Sequence, residues 1–384
     1  MIKNFKKMKP KLAILSTHPI QYNVPLFRGL EVSDELSIKV FFGCLQGSSN
    51  KSSHDKDFDN IIRWDLDLLS GYQYIALSRQ GMQSISGLNS IFLSLLAYLQ
   101  ILFWRPTYVL IFNYSPLFIS ITLFFLLISG QKIILRADTS DESFDRSYTK
   151  QKIRDFLLSI LYKYPVKIFP IGSESYDHFI RLGVPARKLK TILYAVDHNI
   201  FKRQSEQNNF GLNKKIRLGF VGKFTEVKDP LLIPKALSCL DQNLLNQISF
   251  RSAGSGPLLK EFSFKIRKII RNSYYSYGFL QQDQLVRFYS KIDILILPSI
   301  QGEVWGLVIN EALSQGVRVI VSDMVACRKD LVLNQSAGWI FVAGNHLSLA
   351  RAIRTAISHW PWVQTCAHTP TINELSSQII QFLK

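Results

Sequence analysis

Cysteine is scarce in this 384-residue chain. There are four, Cys44, Cys239, Cys327 and Cys366, far apart and without metal-ligand spacing. That excludes a cysteine-rich scaffold and reads as reduced thiols in a cytosolic protein. No apolar run reaches the roughly 18–20 residues that a bilayer-spanning helix needs. The basic start, "MIKNFKKMKPK", is not followed by the long apolar stretch of a secretory signal. Its lysines either touch anionic lipid or form a solvated tail. Carboxylates are also in short supply: 28 Asp+Glu stand against 46 Lys+Arg, for a net charge of +18. Such a balance favours an anionic partner, whether nucleic acid, an acidic membrane surface or a phosphorylated small molecule. Helix-turn-helix, zinc and aromatic RNA-binding motifs are missing, and the basic residues divide between both halves, which argues against nucleic acid.

What is present is apolar and periodic. With 47% hydrophobic and 12% aromatic residues, the chain can bury substantial cores, and its length suggests two domains. Buried-type strands are expected at 11–17, 37–43, 107–112, 132–137 and 166–172. Helical patterns lie between them, and Ser173 is expected to cap the helix that follows. Residues 47–60 are polar and turn-rich and read as a loop. Two very apolar runs, 91–104 and 117–129, are each followed closely by a strand, so they read as helices packed on a parallel sheet, with scope for a monotopic membrane contact.

A second strand series, 216–222, 248–254, 292–298 and 317–323, follows the polar stretch 199–215, the best linker candidate. The expected organisation is an N-terminal Rossmann-like domain (1–198), a linker (199–215), a C-terminal Rossmann-like domain (216–365) and a segment (366–384) whose terminal helix packs back on the first domain. Two doubly wound α/β domains make a cleft, and ligands of such sheets bind at the carboxyl ends of strands.

Chemistry concentrates at three strand ends of the second half. Lys223 and Lys228 follow "IRLGFVG", where two ammonium groups beside helix amides suit a diphosphate. Two solvated lysines would look the same in so basic a chain. Gly254-Ser255-Gly256 allows close backbone approach to a ligand, or is simply a tight turn. The stretch "QGEVWGLVINEALSQG" (301–316) puts Glu303 in the loop after a strand and Glu311 within a helix, eight positions on. Amides around Trp305–Val308 would point at an anion in the same crevice. A carboxylate there would repel phosphate, so it should accept hydrogen bonds from sugar or ribose hydroxyls. The alternative is that Glu303 complements the helix dipole and Glu311 is solvated.

Taken together, "VGKFTEVK", "GSG", "YGFLQQDQLVRFYSKIDILILPS", "EVWGLVINE" and "VSD" resemble, in order and spacing over more than 100 residues (216–333), the donor-binding domain of the family 4 retaining glycosyltransferases (glycosyl transferases group 1). "HPIQYNVPLFRGL" and "YAVDHNIF" add a weaker likeness in the first half. The resemblance implies an α/β GT-B fold, two Rossmann-like domains facing a central cleft. It also implies a retaining, metal-independent hexosyltransferase with no cofactor, the nucleotide sugar being a substrate. It assigns Lys228 to the donor diphosphate, with Lys223 standing where the family usually has arginine, and Glu311 to the ribose hydroxyls. Glu303 would orient the transferred sugar, and Phe279 and Leu280 would border the base. Gly222, Gly254, Gly256, Val304, Trp305, Gly306 and Leu307 complete the donor side. Retention needs no strong protein base, because the leaving diphosphate can take the acceptor's proton while lysines and helix amides stabilise its charge.

The pattern also breaks in places. Ala326-Cys327 replaces the family's common Gly-Gly, ahead of "RKDL", and the first strand lacks the frequent paired glycines. Arg136 and Asp138 stand where many relatives carry a histidine; with His18 and Gln21 they are the acceptor-side candidates. The acceptor is expected to be a glycan or lipid-linked glycan, as in bacterial lipopolysaccharide or capsule assembly, reached from the cytoplasm with peripheral contact to the inner face of an anionic membrane. Rival readings are an epimerase or phosphorylase on the same fold, or a basic nucleic-acid-binding protein.

Overall fold

Short apolar strands alternating with helices can bury both faces of a parallel sheet, and the computed structural model of the chain contains two such sheets. It describes residues 9–48, 53–55, 60–62, 67–78, 85, 88–142, 146–197, 200–201, 215–333, 336–360 and 368–383. The first half comprises β1 (Lys11–Ser16), α1 (Val24–Val32), β2 (Ser37–Phe42), β3 (Ser53–Asp55), β4 (Asn60–Ile62), β5 (Tyr74–Ala76), α2 (Leu88–Trp104), β6 (Tyr108–Phe112), α3 (Leu117–Ile128), β7 (Ile133–Ala137), α4 (Tyr148–Leu161), β8 (Lys167–Pro170) and α5 (Gly172–Arg181). The second comprises β9 (Ile216–Val221), α6 (Leu232–Leu237), α7 (Gln242–Asn246), β10 (Ile248–Ala253), α8 (Leu259–Ile270), β11 (Tyr274–Ser276), α9 (Gln282–Tyr289), β12 (Ile294–Leu297), α10 (Leu307–Ser314), β13 (Arg318–Ser322), β14 (Gly338–Phe341) and α11 (His346–Ser358), with α12 (Ile372–Leu383) last.

The sheets share one topology. Their orders are β5-β2-β1-β6-β7-β8 and β11-β10-β9-β12-β13-β14, with every neighbour parallel. In each, the chain runs outward from a central strand, then returns to build on that strand's other side. The direction reverses between β1 and β6 and between β9 and β12, and those switch points open crevices at the strands' carboxyl ends. Because crossovers are right-handed, α2, α3 and α4 share one face of the first sheet, and α1 lies on the other. There α1 packs with Leu375, Ile379 and Ile380 of α12 in one apolar core.

Two details differ from the periodic reading. The stretch 47–60, read as loop, contributes β3 and pairs it antiparallel with β4, Ser53 opposite Ile62. Ser173 does not cap α5; Ile171 occupies that position. The Ser173 amide and hydroxyl instead donate to Asp330 of the other half, at 3.0 and 2.6 Å. Just beyond Ala326-Cys327, Arg328 of "RKDL" likewise pairs with Glu174 and Glu142 across the halves. Burial pushes the Glu174 carboxyl above its ordinary range, against the pull of Ser140 and Arg328. The basic tail and most of the linker candidate (1–8 and 202–214) lie outside the described residues. Among the described residues no helix is long and apolar enough to cross a membrane.

Candidate active site

Strand ends from both sheets converge on a cavity of about 350 Å³. β9 delivers Val221, Gly222 and Lys223, β10 delivers Ala253 and Gly254, and β12 leads through Leu297 to the 303–308 loop. The first half contributes Gln21 and Tyr22 after β1, Asp138 after β7, and Tyr194. Lys228, Phe279, Leu280, Glu303, Val304, Trp305, Gly306, Leu307 and Glu311 also line it. Every donor-side residue expected from the sequence is therefore a lining residue except Gly256, whose place is structural. A Cβ there would lie 2.8 Å from the Phe224 carbonyl oxygen. Gly254 has both roles: at φ +129, a Cβ would meet the Gly222 carbonyl oxygen at 1.9 Å, so only glycine lets the two strand ends approach this closely.

The two glutamates differ sharply. Glu303 lies in the loop, ion-paired with Lys228 and accepting from the Ser299 hydroxyl at 3.0 Å. Glu311 lies on the second turn of α10, almost fully buried, and accepts from the Tyr289 hydroxyl at 2.7 Å. Burial raises its pKa to about 7, with the Tyr289 bond pulling the other way. The first amides of α10 have no intrahelical acceptor, so they and the helix dipole supply positive potential at Gly306–Val308. The cavity thus offers two ammonium groups, helix amides and two carboxylates, one ion-paired in a loop and one buried on a helix.

The Trp305 ring packs against the first half of the chain. It is buried, 6.0 Å from the Tyr194 ring, and its indole N–H donates to Asn310 at 2.7 Å. Asn310 in turn donates to the Tyr194 carbonyl at 3.0 Å, so one fully buried amide ties α10 to the first half. Asn310→Ala would leave a buried indole N–H unpaired. A stability loss of about 1–3 kcal/mol is expected in urea unfolding, the cost of a buried donor without a partner.

A second cavity, about 230 Å³, sits at the first sheet's own switch point, lined by Ser16, Thr17, Asn23, Asn113, Arg136 and Asp138 among others. Arg136 is 2% exposed; its terminal nitrogens donate to the carbonyls of Ile192 and Leu193 at 2.9 and 3.1 Å, and its buried Nε has no partner. Burial lowers its pKa to about 10, opposed by Tyr194 and Asp138. Asp138 accepts from Asn113 at 3.0 Å and from the Tyr194 hydroxyl at 3.2 Å. Asp138 and Tyr194 line both cavities and so form their common wall. Of the acceptor-side candidates, Gln21 lines the larger cavity, Arg136 the smaller and Asp138 both. His18 lines neither; its ring nitrogen bonds Thr17 at 2.9 Å, and burial lowers its pKa.

Sequence reasoning missed Tyr22, Tyr194, Gln282 and Asn310. Tyr289 carried a signal, as the tyrosine of "VRFYSKID", without a role attached.

Three comparisons bear on these cavities. Residues 201–368 match the family model described as Glycosyl transferases group 1. A Campylobacter jejuni protein, GalNAc-alpha-(1->4)-GalNAc-alpha-(1->3)-diNAcBac-PP-undecaprenol alpha-1,4-N-acetyl-D-galactosaminyltransferase, is 26% identical over 220 residues. That match covers 56% of this chain and 57% of the relative, so the chain spans little more than half the length of that curated protein. The Anabaena protein HepE, solved with UDP and glucose, superposes with a TM-score of 0.67 at 16% identity, covering 98% of this chain and 99% of that one. A glycosyltransferase from Rickettsia africae superposes with a TM-score of 0.66 at 13% identity, covering 97% and 93%. At these identities the superpositions speak for the fold alone.

Proposed function

The chain belongs to the glycosyl transferases group 1 family through residues 201–368 and has the GT-B fold, and from that premise we propose that it moves a sugar, with retention, from a nucleotide-sugar donor to a glycan or lipid-linked acceptor. The observation that carries this reading is the shared wall: Asp138 and Tyr194 separate a cavity furnished for a diphosphate and a ribose from a smaller polar one. In this reading residues 1–198 serve the acceptor and 216–365 the donor.

Lys228, Lys223 and the α10 amides stabilise the diphosphate as charge grows on it. Glu311 accepts the ribose hydroxyls, and Glu303, held by Lys228 and Ser299, orients the transferred sugar. The acceptor hydroxyl approaches from the Asn113–Asp138 side, on the donor face that the leaving group occupies, and its proton passes to the departing phosphate. Because HepE was solved with UDP, uridine diphosphate sugars are the first donors to try. The Campylobacter relative is named for an undecaprenyl-linked acceptor, which supports a lipid-linked glycan and a site of action at a membrane surface.

Glu311 gives this reading a pH signature. Its folded pKa lies above the ordinary 4.5, so its contribution to the free protein's stability is fully present below 4.5 and is lost as pH rises through about 7. Accepting two hydroxyl hydrogens needs the ionised form. Nucleotide affinity should therefore fall by about tenfold from pH 8 to pH 6, as for one required group titrating near 7, and calorimetry in buffers of different ionisation enthalpy should detect proton release. Flat affinity over that range would remove Glu311 from the ribose.

The experiment that tests the proposal is a titration against a panel of nucleotide sugars, read by thermal shift. Saturable stabilisation by one donor and its nucleoside diphosphate supports it. No response to any donor, with tight salt-sensitive binding of DNA or RNA, would favour the nucleic-acid reading instead.

A further inference from the structure

Among the described residues, more than half of the exposed large hydrophobic side chains belong to residues 88–164, on the sheet face shared by α2, α3 and α4. Phe103 at 88%, Ile128 at 70% and Phe156 at 66% exposure are among the extremes. Apolar patches of this kind mark protein or membrane contacts. Between α3 and α4 the face opens into a groove of about 460 Å³, walled by Leu123, Leu127 and Ile128 on one side and Leu157, Ile160 and Tyr164 on the other. Along this groove α4 buries only Leu158 fully.

We propose that this groove holds the hydrocarbon chain of a lipid-linked acceptor; the inference rests on the lipid-linked reading of the acceptor given above. The first argument is position. The groove runs from Ser120 to Ile128 along α3, about 12 Å at 1.5 Å per residue. Both helices start at the strands' carboxyl ends, so its inner end lies at Tyr114, one residue beyond Asn113 of the smaller polar cavity. There the Tyr114 hydroxyl accepts from Arg154 at 3.1 Å, and its carbonyl accepts from Ser120 at 2.5 Å. A chain lying in the groove brings its polar end past Tyr114 to Asn113 and Asp138.

The second argument is charge. Residues 88–137 contain no Asp or Glu; Lys150 and Lys152 lie on α4, Arg105, Lys132 and Lys163 follow the ends of α2, α3 and α4, and Asp155 of α4 is paired with Arg181. Those ammonium and guanidinium groups complement anionic headgroups and the phosphate of a lipid carrier. A second copy of the chain would instead set one basic rim against another.

The test uses the full chain with phosphatidylglycerol–phosphatidylethanolamine vesicles carrying a trace of diazirine-bearing polyprenyl phosphate. After photolysis, label should fall on peptides covering 120–128 and 157–164, and unlabelled polyprenyl phosphate should compete it away where extra vesicle lipid does not. Leu157→Trp fills the groove yet keeps the face apolar. It should leave vesicle binding within about twofold and cut groove labelling by about tenfold, the effect of losing one or two buried methylenes. Label scattered over α2 and residues 148–156 of α4 and indifferent to polyprenyl phosphate would mean a bilayer contact only, and would overturn the proposal. Loss of label into a stable dimer, seen by sedimentation, would assign the groove to a second copy and overturn it too. UDP binding measured on the same samples separates the two readings: intact UDP binding with no groove label sinks the groove alone, whereas absent binding of any nucleotide sinks the transferase reading.

Discussion

Lys228→Ala is expected to lower kcat by about 10²–10³, the scale seen when one preorganised donor to a developing oxyanion is removed. The ammonium lines the cavity and pairs with Glu303, so in the free protein its charge is already committed to a neighbour. A diphosphate that gains charge as the glycosidic bond breaks competes better for that ammonium than the resting donor does. Interactions stronger in the transition state raise turnover more than affinity, so the change should appear in kcat with a small effect on donor binding. Glu303 keeps the Ser299 hydroxyl as a partner in the variant, which limits collateral rearrangement. Lys223→Arg is the companion substitution. It restores the residue usual in the family and adds a planar fork for phosphate, so activity should be retained or modestly raised. Wild-type turnover by Lys228→Ala at saturating donor would contradict the diphosphate assignment.

The second large effect belongs to Glu311. Glu311→Ala should weaken nucleotide binding by about 1.5–3 kcal/mol, the worth of hydrogen bonds to a charged acceptor, or about 10–150-fold in Kd. The variant also strips the acceptor from the buried Tyr289 hydroxyl, so some loss of folding stability accompanies it. Glu311→Gln separates the two effects. Its amide oxygen still accepts from Tyr289, but it no longer titrates near pH 7 and accepts more weakly from hydroxyls. Nucleotide binding should drop and lose its pH dependence while the fold persists. A folded Glu311→Gln protein with unchanged nucleotide affinity would remove the carboxylate from the ribose.

Much of this was legible because it is local. The apolar runs at 91–104 and 117–129 are α2 and α3, and both are too short to span a bilayer. Glu303 and Glu311, eight apart with a strand before them, end on one cavity because a β-strand, a loop and the first turns of a helix leave little freedom in between. What escaped depends on contacts between distant segments. Asn310 looks like one more polar residue of a short helix until the Tyr194 carbonyl, 116 positions away, comes within 3.0 Å. Ser173 has the composition of a helix cap, yet Asp330 of the other half takes its hydrogen bonds. Gly256 looked like part of a ligand turn and is small because the Phe224 backbone lies against it. His18 stands out in the sequence by its chemistry alone, and after β1 it is Gln21 and Tyr22 that line the cavity.

One measurement bears most directly on transfer: release of nucleoside diphosphate from the stabilising nucleotide sugar, followed with and without a lipid-linked glycan fraction from bacterial membranes. The account predicts slow or no release alone, rapid release with acceptor, and loss of that release in Lys228→Ala. Recovery of an epimerised nucleotide sugar, formed equally well without acceptor, would contradict it.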